Sequence, residues 1–218
     1  MKSKTDFSPA RRRLLQRGLW ACGSLLLVGN AGTATALEAL MHDHAHHPHP
    51  LPSAKEGYVR KMVNYTIPDV ELVDANGVAA PLSSRLADKP VILNFIFTSC
   101  GAICPVMSTT FSHVQAALGA KRDAVHMVSI SIDPEHDTPL ALKAYASKYG
   151  AGPQWQMLTG REHDSIAVQR AFDVYRGNIM SHQPTTFLRA RSGQAWVRLD
   201  GFASADDIMR EYRQLTSN

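Results

Sequence analysis

The sequence predicts an α/β domain with a mixed central sheet flanked by helices, on three observations. Val91–Phe97 is a nearly continuous apolar run, as expected of a strand covered on both faces. A segment with helical spacing follows it and leads to a second apolar run, Val125–Ile132, so strands and helices alternate. Thr185–Ala190 and Ala195–Leu199, joined through Ser192-Gly193, read as a closing hairpin, which makes the sheet mixed. A length of 218 residues with 44% hydrophobic content suits one ordinary domain with appendages.

The appendages come first. Arg11-Arg12-Arg13-Leu14-Leu15, the apolar stretch Gly18–Val28 and Ala34-Thr35-Ala36 are the three parts of an export signal over residues 1–36. Paired arginines followed by two leucines also resemble a twin-arginine signal. The apolar core is about a dozen residues, short of the ~20 that span a bilayer, which favours cleavage over retention as a membrane anchor. Extension through Ala36 reaches that length, diluted by Gly29, Asn30, Gly32 and two threonines. Cys22 reads as a small apolar residue of this leader, because Leu19-Trp20-Ala21-Cys22 is a poor lipid-attachment box. The leader holds Lys2, Lys4, Arg11, Arg12, Arg13 and Arg17 against Asp6, a net of +5 out of the chain's +4. Residues 37–218 therefore carry −1, which gives no support for nucleic-acid binding.

Residues 37–57 read as a His/Pro-rich flexible tether. Five of the ten histidines (His42, His44, His46, His47 and His49) fall within Met41–Pro50, and Pro48, Pro50 and Pro52 forbid a regular helix. Such a tract binds metal, either weakly or as a collecting site. The globular pattern begins at Tyr58 and fills 58–218. Asp69–Val73, the Asn76-Gly77 turn and a short strand near Val78 read as an edge hairpin. Leu82–Leu86 holds one helical turn. In the helix after the first apolar strand, Pro105 suits the first position, and Met107, Phe111, Val114 and Leu118 form a core-facing stripe ended by Gly119. His113 lies off that stripe. After Val125–Ile132, Asp137 or Thr138 caps a helix carrying Tyr145 and Tyr149. A short strand at Trp155–Leu158, a helix from Glu162 to Phe172 and a last helix from Ser204 to Leu215 complete the order.

The chemistry sits where Val91–Phe97 runs off its carboxyl end into Thr98-Ser99-Cys100-Gly101-Ala102-Ile103-Cys104-Pro105. That edge of an α/β sheet is where sites tend to lie. Cys104 is expected at the helix cap, where backbone N–H groups favour a thiolate. Two thiolates suit Cu(I), and an added imidazole gives a three-coordinate site that also accepts Cu(II). The same thiols can instead close a small disulfide and exchange electrons. A purely structural disulfide over so short a loop stabilises little. Among His113, His126, His136, His163 and His182, the best-placed third ligand is His182. Its loop leads into a late strand, and in a thioredoxin-like sheet that loop faces the cysteines; His136 is second.

Phe97-Thr98-Ser99-Cys100-x-x-x-Cys104-Pro105, Ser131-Ile132-Asp133-Pro134-Glu135-His136-Asp137-Thr138-Pro139 and the late loop histidine His182 together resemble the SCO/SenC/PrrC family. The resemblance spans roughly Tyr65 to Leu215. It implies a thioredoxin-like domain in the bacterial periplasm, soluble or anchored to the inner membrane. It also implies one copper, Cu(I) or Cu(II), held by Cys100, Cys104 and His182. The implied role is assembly of the binuclear copper centre of cytochrome c oxidase, as copper donor, thiol reductant or both. The implied partners are its copper-receiving subunit or another copper chaperone. Asp133 then takes a supporting or capping role, not a ligand's.

One departure keeps thiol exchange open as the alternative. Gln183-Pro184-Thr185-Thr186-Phe187 resembles the segment of thioredoxin-like reductases in which a cis proline faces the redox pair, although those have two residues between their cysteines and this chain has three. A peroxiredoxin-like peroxidase wants an arginine near one activated cysteine, and none falls between Val91 and Lys121.

Overall fold

The computed structural model describes residues 57–217. The chain divides into two units, Met1–His49 and Pro50–Asn218, and the described residues belong to the second. The export signal, Cys22 and the histidine tract lie outside the described residues. Among the described residues no helix is long and apolar enough to cross a membrane.

Eight strands form one mixed sheet. In chain order these are β1 (Tyr58–Val63), β2 (Glu71–Asp74), β3 (Ala79–Pro81), β4 (Val91–Ile96), β5 (His126–Ser131), β6 (Trp155–Thr159), β7 (Thr185–Arg189) and β8 (Trp196–Gly201). Their order across the sheet is β1-β8-β7-β4-β5-β6-β2-β3. β4, β5 and β6 run parallel, and β7 returns antiparallel to β4 with Leu93 opposite Phe187. The helices are α1 (Leu82–Arg85), α2 (Ile103–Leu118), α3 (Pro139–Lys148), α4 (Glu162–Ala171) and α5 (Ala205–Thr216).

The apolar runs account for the middle of the sheet. All six residues of β4 are buried, Asn94 included. Its amide oxygen is satisfied by a polar bridge along three strands: Ser129 Oγ donates to Asn94 Oδ1 at 2.6 Å, and Trp155 Nε1 donates to Ser129 Oγ at 2.9 Å. Phe95, Phe172 and Phe187 form an edge-to-face cluster with centroids 5.2–5.9 Å apart, a geometry that adds to simple area burial. The stripe on α2 is as expected, with Met107, Phe111, Val114 and Leu118 buried and His113 exposed. Gly119 closes that helix with φ of 53°.

Two boundaries move, and one strand is new. The edge hairpin is β2–β3, but its first strand starts at Glu71, two residues after Asp69. α2 begins at Ile103, so Pro105 is its third residue, still within the first turn where a missing N–H costs no helical bond. The strand that the sequence does not announce is β1, which pairs with β8 at the edge opposite the hairpin. Its residues are mostly exposed on both faces, so no burial pattern marks it. Where β8 ends beside it, Gly201 has φ of 117° and a Cβ there would stand 2.7 Å from the Gly57 carbonyl. That close approach requires glycine.

Candidate metal centre

The parallel order carries the carboxyl ends of β4 and β5 to one edge, and the antiparallel return of β7 brings its amino end there too. Cys100, Asp137 and His182 arrive at that edge from three separate loops.

The cysteine loop leaves β4 after Ile96, whose carbonyl accepts the Ile132 N–H at 2.8 Å. Cys100 N–H then donates to the Phe97 carbonyl at 3.2 Å, closing a tight turn. Cys104 N–H points at Cys100 Sγ, 3.4 Å away, so both sulfur-bearing residues share the start of α2. Both cysteines are free thiols.

Their environments reverse the expectation from sequence. Cys104 is not the cap but the second residue of α2, and its side chain is fully buried. Burial pushes its thiol up to about 12, reinforced by the Cys100 sulfur and the Asp137 carboxylate against the Phe97 N–H. Cys100 is the residue the helix start serves. Partial burial works to raise its thiol, but the N–H groups of Cys104 and Ala102, the Cys104 thiol and the Ile103 N–H outweigh that and hold it below its ordinary value. Gly101 and the first turn aim those N–H groups back along the chain, at the thiol four residues before Cys104.

The sequence offers Asp137 or Thr138 as the cap of α3, and the structure takes the second. Thr138 caps α3 by accepting the Ala141 N–H, which leaves the Asp137 carboxylate for another purpose. Fully buried, it accepts the Thr98 N–H at 3.1 and 3.2 Å, the Thr98 hydroxyl at 2.6 Å and the Ser131 hydroxyl at 2.6 Å. Asp133, by contrast, caps its own turn through its carbonyl, which accepts the Asp137 N–H at 2.8 Å. Its carboxylate meets His136 Nδ1 at 2.9 Å.

His182 lies at the end of a 3-10 turn, Ile179–Ser181, and is 4% exposed. Its Nε2 stands 3.1 Å from the Phe95 carbonyl of β4. A carbonyl only accepts, so Nε2 carries the ring proton. Burial lowers the pKa of the ring against the Phe95 bond, with Arg176 adding to the lowering, which favours neutral imidazole. Nδ1 is then a bare lone pair, and it has no hydrogen-bond partner. The ring borders a cleft of about 580 Å³ shared with Asp133, His136, Gln169, Arg176 and Asn178.

The structure thus pairs Cys100 with Cys104 and hangs His182 from the same strand. Among the described residues no three His, Cys, Asp or Glu side chains stand together closely enough to hold a metal ion, so the ring is outside ligating distance of the pair. His136 is exposed, and its Asp133 bond raises its pKa. Gln183–Pro184 is trans, as are all described peptide bonds, so the cis proline that the reductase resemblance calls for is not present. The donor set nonetheless fits copper by its chemistry: two soft sulfurs already adjacent, and an imidazole nitrogen with nothing else to bind.

Residues 61–217 match the SCO1/SenC family. The SCO1 protein homolog of Bacillus subtilis is 32% identical over 170 residues, covering 73% of this chain and 87% of that protein. The structure of ScoI from Bradyrhizobium japonicum with copper bound superposes with a TM-score of 0.57 at 26% identity, over 66% of this chain and 96% of that one. BsSco, a member of the Sco family of cytochrome c oxidase assembly proteins, superposes with a TM-score of 0.61 at 25% identity, over 73% of this chain and 98% of that one. The fold is thioredoxin-like.

Proposed function

The chain belongs to the SCO1/SenC family, and from that premise we propose that it binds one copper ion through Cys100, Cys104 and His182. In this reading the protein serves cytochrome c oxidase assembly, delivering copper to the copper-receiving subunit or reducing that subunit's cysteines. Residues 1–36 export it, so that the domain works in the periplasm, free or anchored to the inner membrane.

The observation that carries the reading is the bare Nδ1 of His182, buried and unpartnered, on a ring fixed to the strand that bears the thiol pair. A buried polar atom without a partner costs about 1–3 kcal/mol, and a metal bond removes that cost. Closing the site needs the histidine loop to bring the ring to the sulfurs, while the sulfurs themselves are already adjacent.

Thiol exchange keeps one observation of its own. A partly exposed thiol with lowered pKa beside a buried one with raised pKa is the division of labour between attacking and resolving cysteines. The two roles use the same atoms and alternate with metal occupancy.

The test is copper titration of the full-length protein carrying Cys22→Ser, with the five tract histidines replaced by alanine. Cu(II) should give an intense sulfur-to-copper charge-transfer band at one equivalent. Cys100→Ser and Cys104→Ser should each abolish it, and His182→Ala should shift it and weaken binding. An unchanged spectrum and affinity in His182→Ala overturns the ligand assignment. Rapid catalytic reduction of insulin by the metal-free protein favours thiol exchange instead.

A further inference from the structure

We propose that Asp137 is a positioning residue for the thiol pair: by tying Thr98 to Ser131 it sets where the cysteine loop leaves the sheet, and so how closely the Cys100 and Cys104 sulfurs approach. The inference rests on the reading of those two cysteines as the functional pair.

The geometry points to it from both sides. Seen from Asp137, a fully buried carboxylate has no ion-pair partner among the described residues; hydrogen-bond donors alone compensate it. A buried carboxylate is tolerated only where donors converge on it, so loop 131–139 is folded around this group. Ser131 Oγ, which donates to it, also accepts the Asp133 N–H at 3.0 Å, and Asp137's own N–H closes the turn on Asp133. The next residue, Thr138, already caps α3. Helix capping therefore does not explain the acid at 137.

Seen from the cysteine loop, external anchors are scarce. The side-chain hydrogen bonds that reach the Phe97–Ala102 loop from outside the Ile96–Cys104 segment, among the described residues, all come from Asp137, and all end on Thr98. The amino end of α2 has no side-chain cap. The remaining bonds, Cys100 N–H to Phe97 and Cys104 N–H to Cys100 Sγ, are internal to the segment that Thr98 ties to Asp137. Asp137 therefore fixes the reference point from which the sulfur spacing follows. It also explains why the Asp133–Pro139 stretch accompanies the cysteine motif in this sequence without supplying a ligand.

The test needs no metal. In full-length protein carrying Cys22→Ser, the reduced thiol pair is equilibrated with glutathione buffers. The Cys100–Cys104 bond forms as the glutathione disulfide bond breaks, and both protons end on two glutathione thiols. Acid quenching, alkylation and mass spectrometry give the effective concentration of one thiol towards the other. Asp137→Ala should lower it at least tenfold at temperatures where circular dichroism shows the domain folded. Thr98→Val, which removes one donor and keeps the backbone N–H, should lower it less, and Asp133→Ala should leave it within twofold. If Asp137→Ala does not fold, Asp137→Asn and Thr98→Val together decide. An Asp137 variant that lowers the melting temperature while leaving the equilibrium within twofold of the parent overturns the proposal, as does an equal shift in Asp133→Ala. Loss of copper binding by the parent protein overturns the copper reading alone, because the thiol equilibrium is measured without copper.

Discussion

The loop that carries the cysteines and the loop that carries His182 converge on the end of β4 but are built differently. The cysteine loop is short, enters a 16-residue helix directly and is pinned at Thr98 by a buried carboxylate. The histidine loop runs from Phe172 to Pro184 through Gly177, with φ of 73°, and a single 3-10 turn. Its Met180 is 76% exposed, and the ring of His182 is held by one hydrogen bond to Phe95. The two thiols thus share one helix start. The imidazole is oriented from β4 by a single bond worth about 0.5–1.5 kcal/mol net.

The harshest way to break this contrast is to remove the root of the histidine loop. Phe172 is fully buried against Phe95, Phe187, Trp196 and Tyr65. Phe172→Ala should cost about 3–5 kcal/mol in urea unfolding. In the folded state, amide hydrogen exchange should accelerate over residues 174–182 and change little over 98–104. Equal acceleration in both loops would show that they share one anchor.

A finer probe compares the two thiols. Iodoacetamide should label Cys100 at least about tenfold faster than Cys104 at pH 8, since the thiolate is the reacting form. The rate at Cys100 should climb at pH values below the ordinary 9.0, and that at Cys104 only towards about 12. The unfolded chain gives up the Cys104 proton at its ordinary 9.0, whereas the folded chain keeps it to about 12. Stability should therefore fall as pH rises above 9, and Cys104→Ser should flatten that decline in thermal melts. Similar labelling rates at both cysteines would remove the asymmetry on which the attacking and resolving roles depend.

The smallest effect separates His182 from His136. The ring of His182 is lowered from 6.5 by burial, and that of His136 is raised from 6.5 by Asp133. Two-dimensional NMR should show His182 titrating below His136. The unfolded chain takes up the His182 proton at its ordinary value and the folded chain only at lower pH, so this residue makes stability fall as pH drops through 6.5. His182→Gln should flatten that limb by a fraction of the total stability. A raised pKa at His182 would mean that the ring is more open to water than its Phe95 bond implies.

Much of the fold is readable along the chain because burial repeats where secondary structure repeats. The run Val91–Phe97 and the stripe Met107, Phe111, Val114 and Leu118 are each solved by local periodicity, and each is found where expected. β1 escapes because exposed residues such as Val59 and Met62 carry no periodic constraint; its pairing with β8 is a choice made between segments far apart. At the site, the spacing of Cys100, Gly101 and Cys104 predicts that two sulfurs share a helix start. It does not predict which of them is the thiolate, because that depends on where the helix begins. A shift of two residues from Pro105 to Ile103 turns Cys104 into the core and gives the free N–H groups to Cys100.

By itself the sequence determined the central strands and helices, the mixed sheet, the proximity of the two cysteines and a group of side chains whose chemistry suits copper, because these follow from spacing and side-chain chemistry. Tertiary structure alone decided the rest. Asp137, 33 residues after Cys104, reaches across to Thr98, and His182, 82 residues after Cys100, comes to rest on the Phe95 carbonyl. Both depend on β4, β5 and β7 lying side by side. Strand order is set by long-range packing and hydrogen bonding, which no local pattern records.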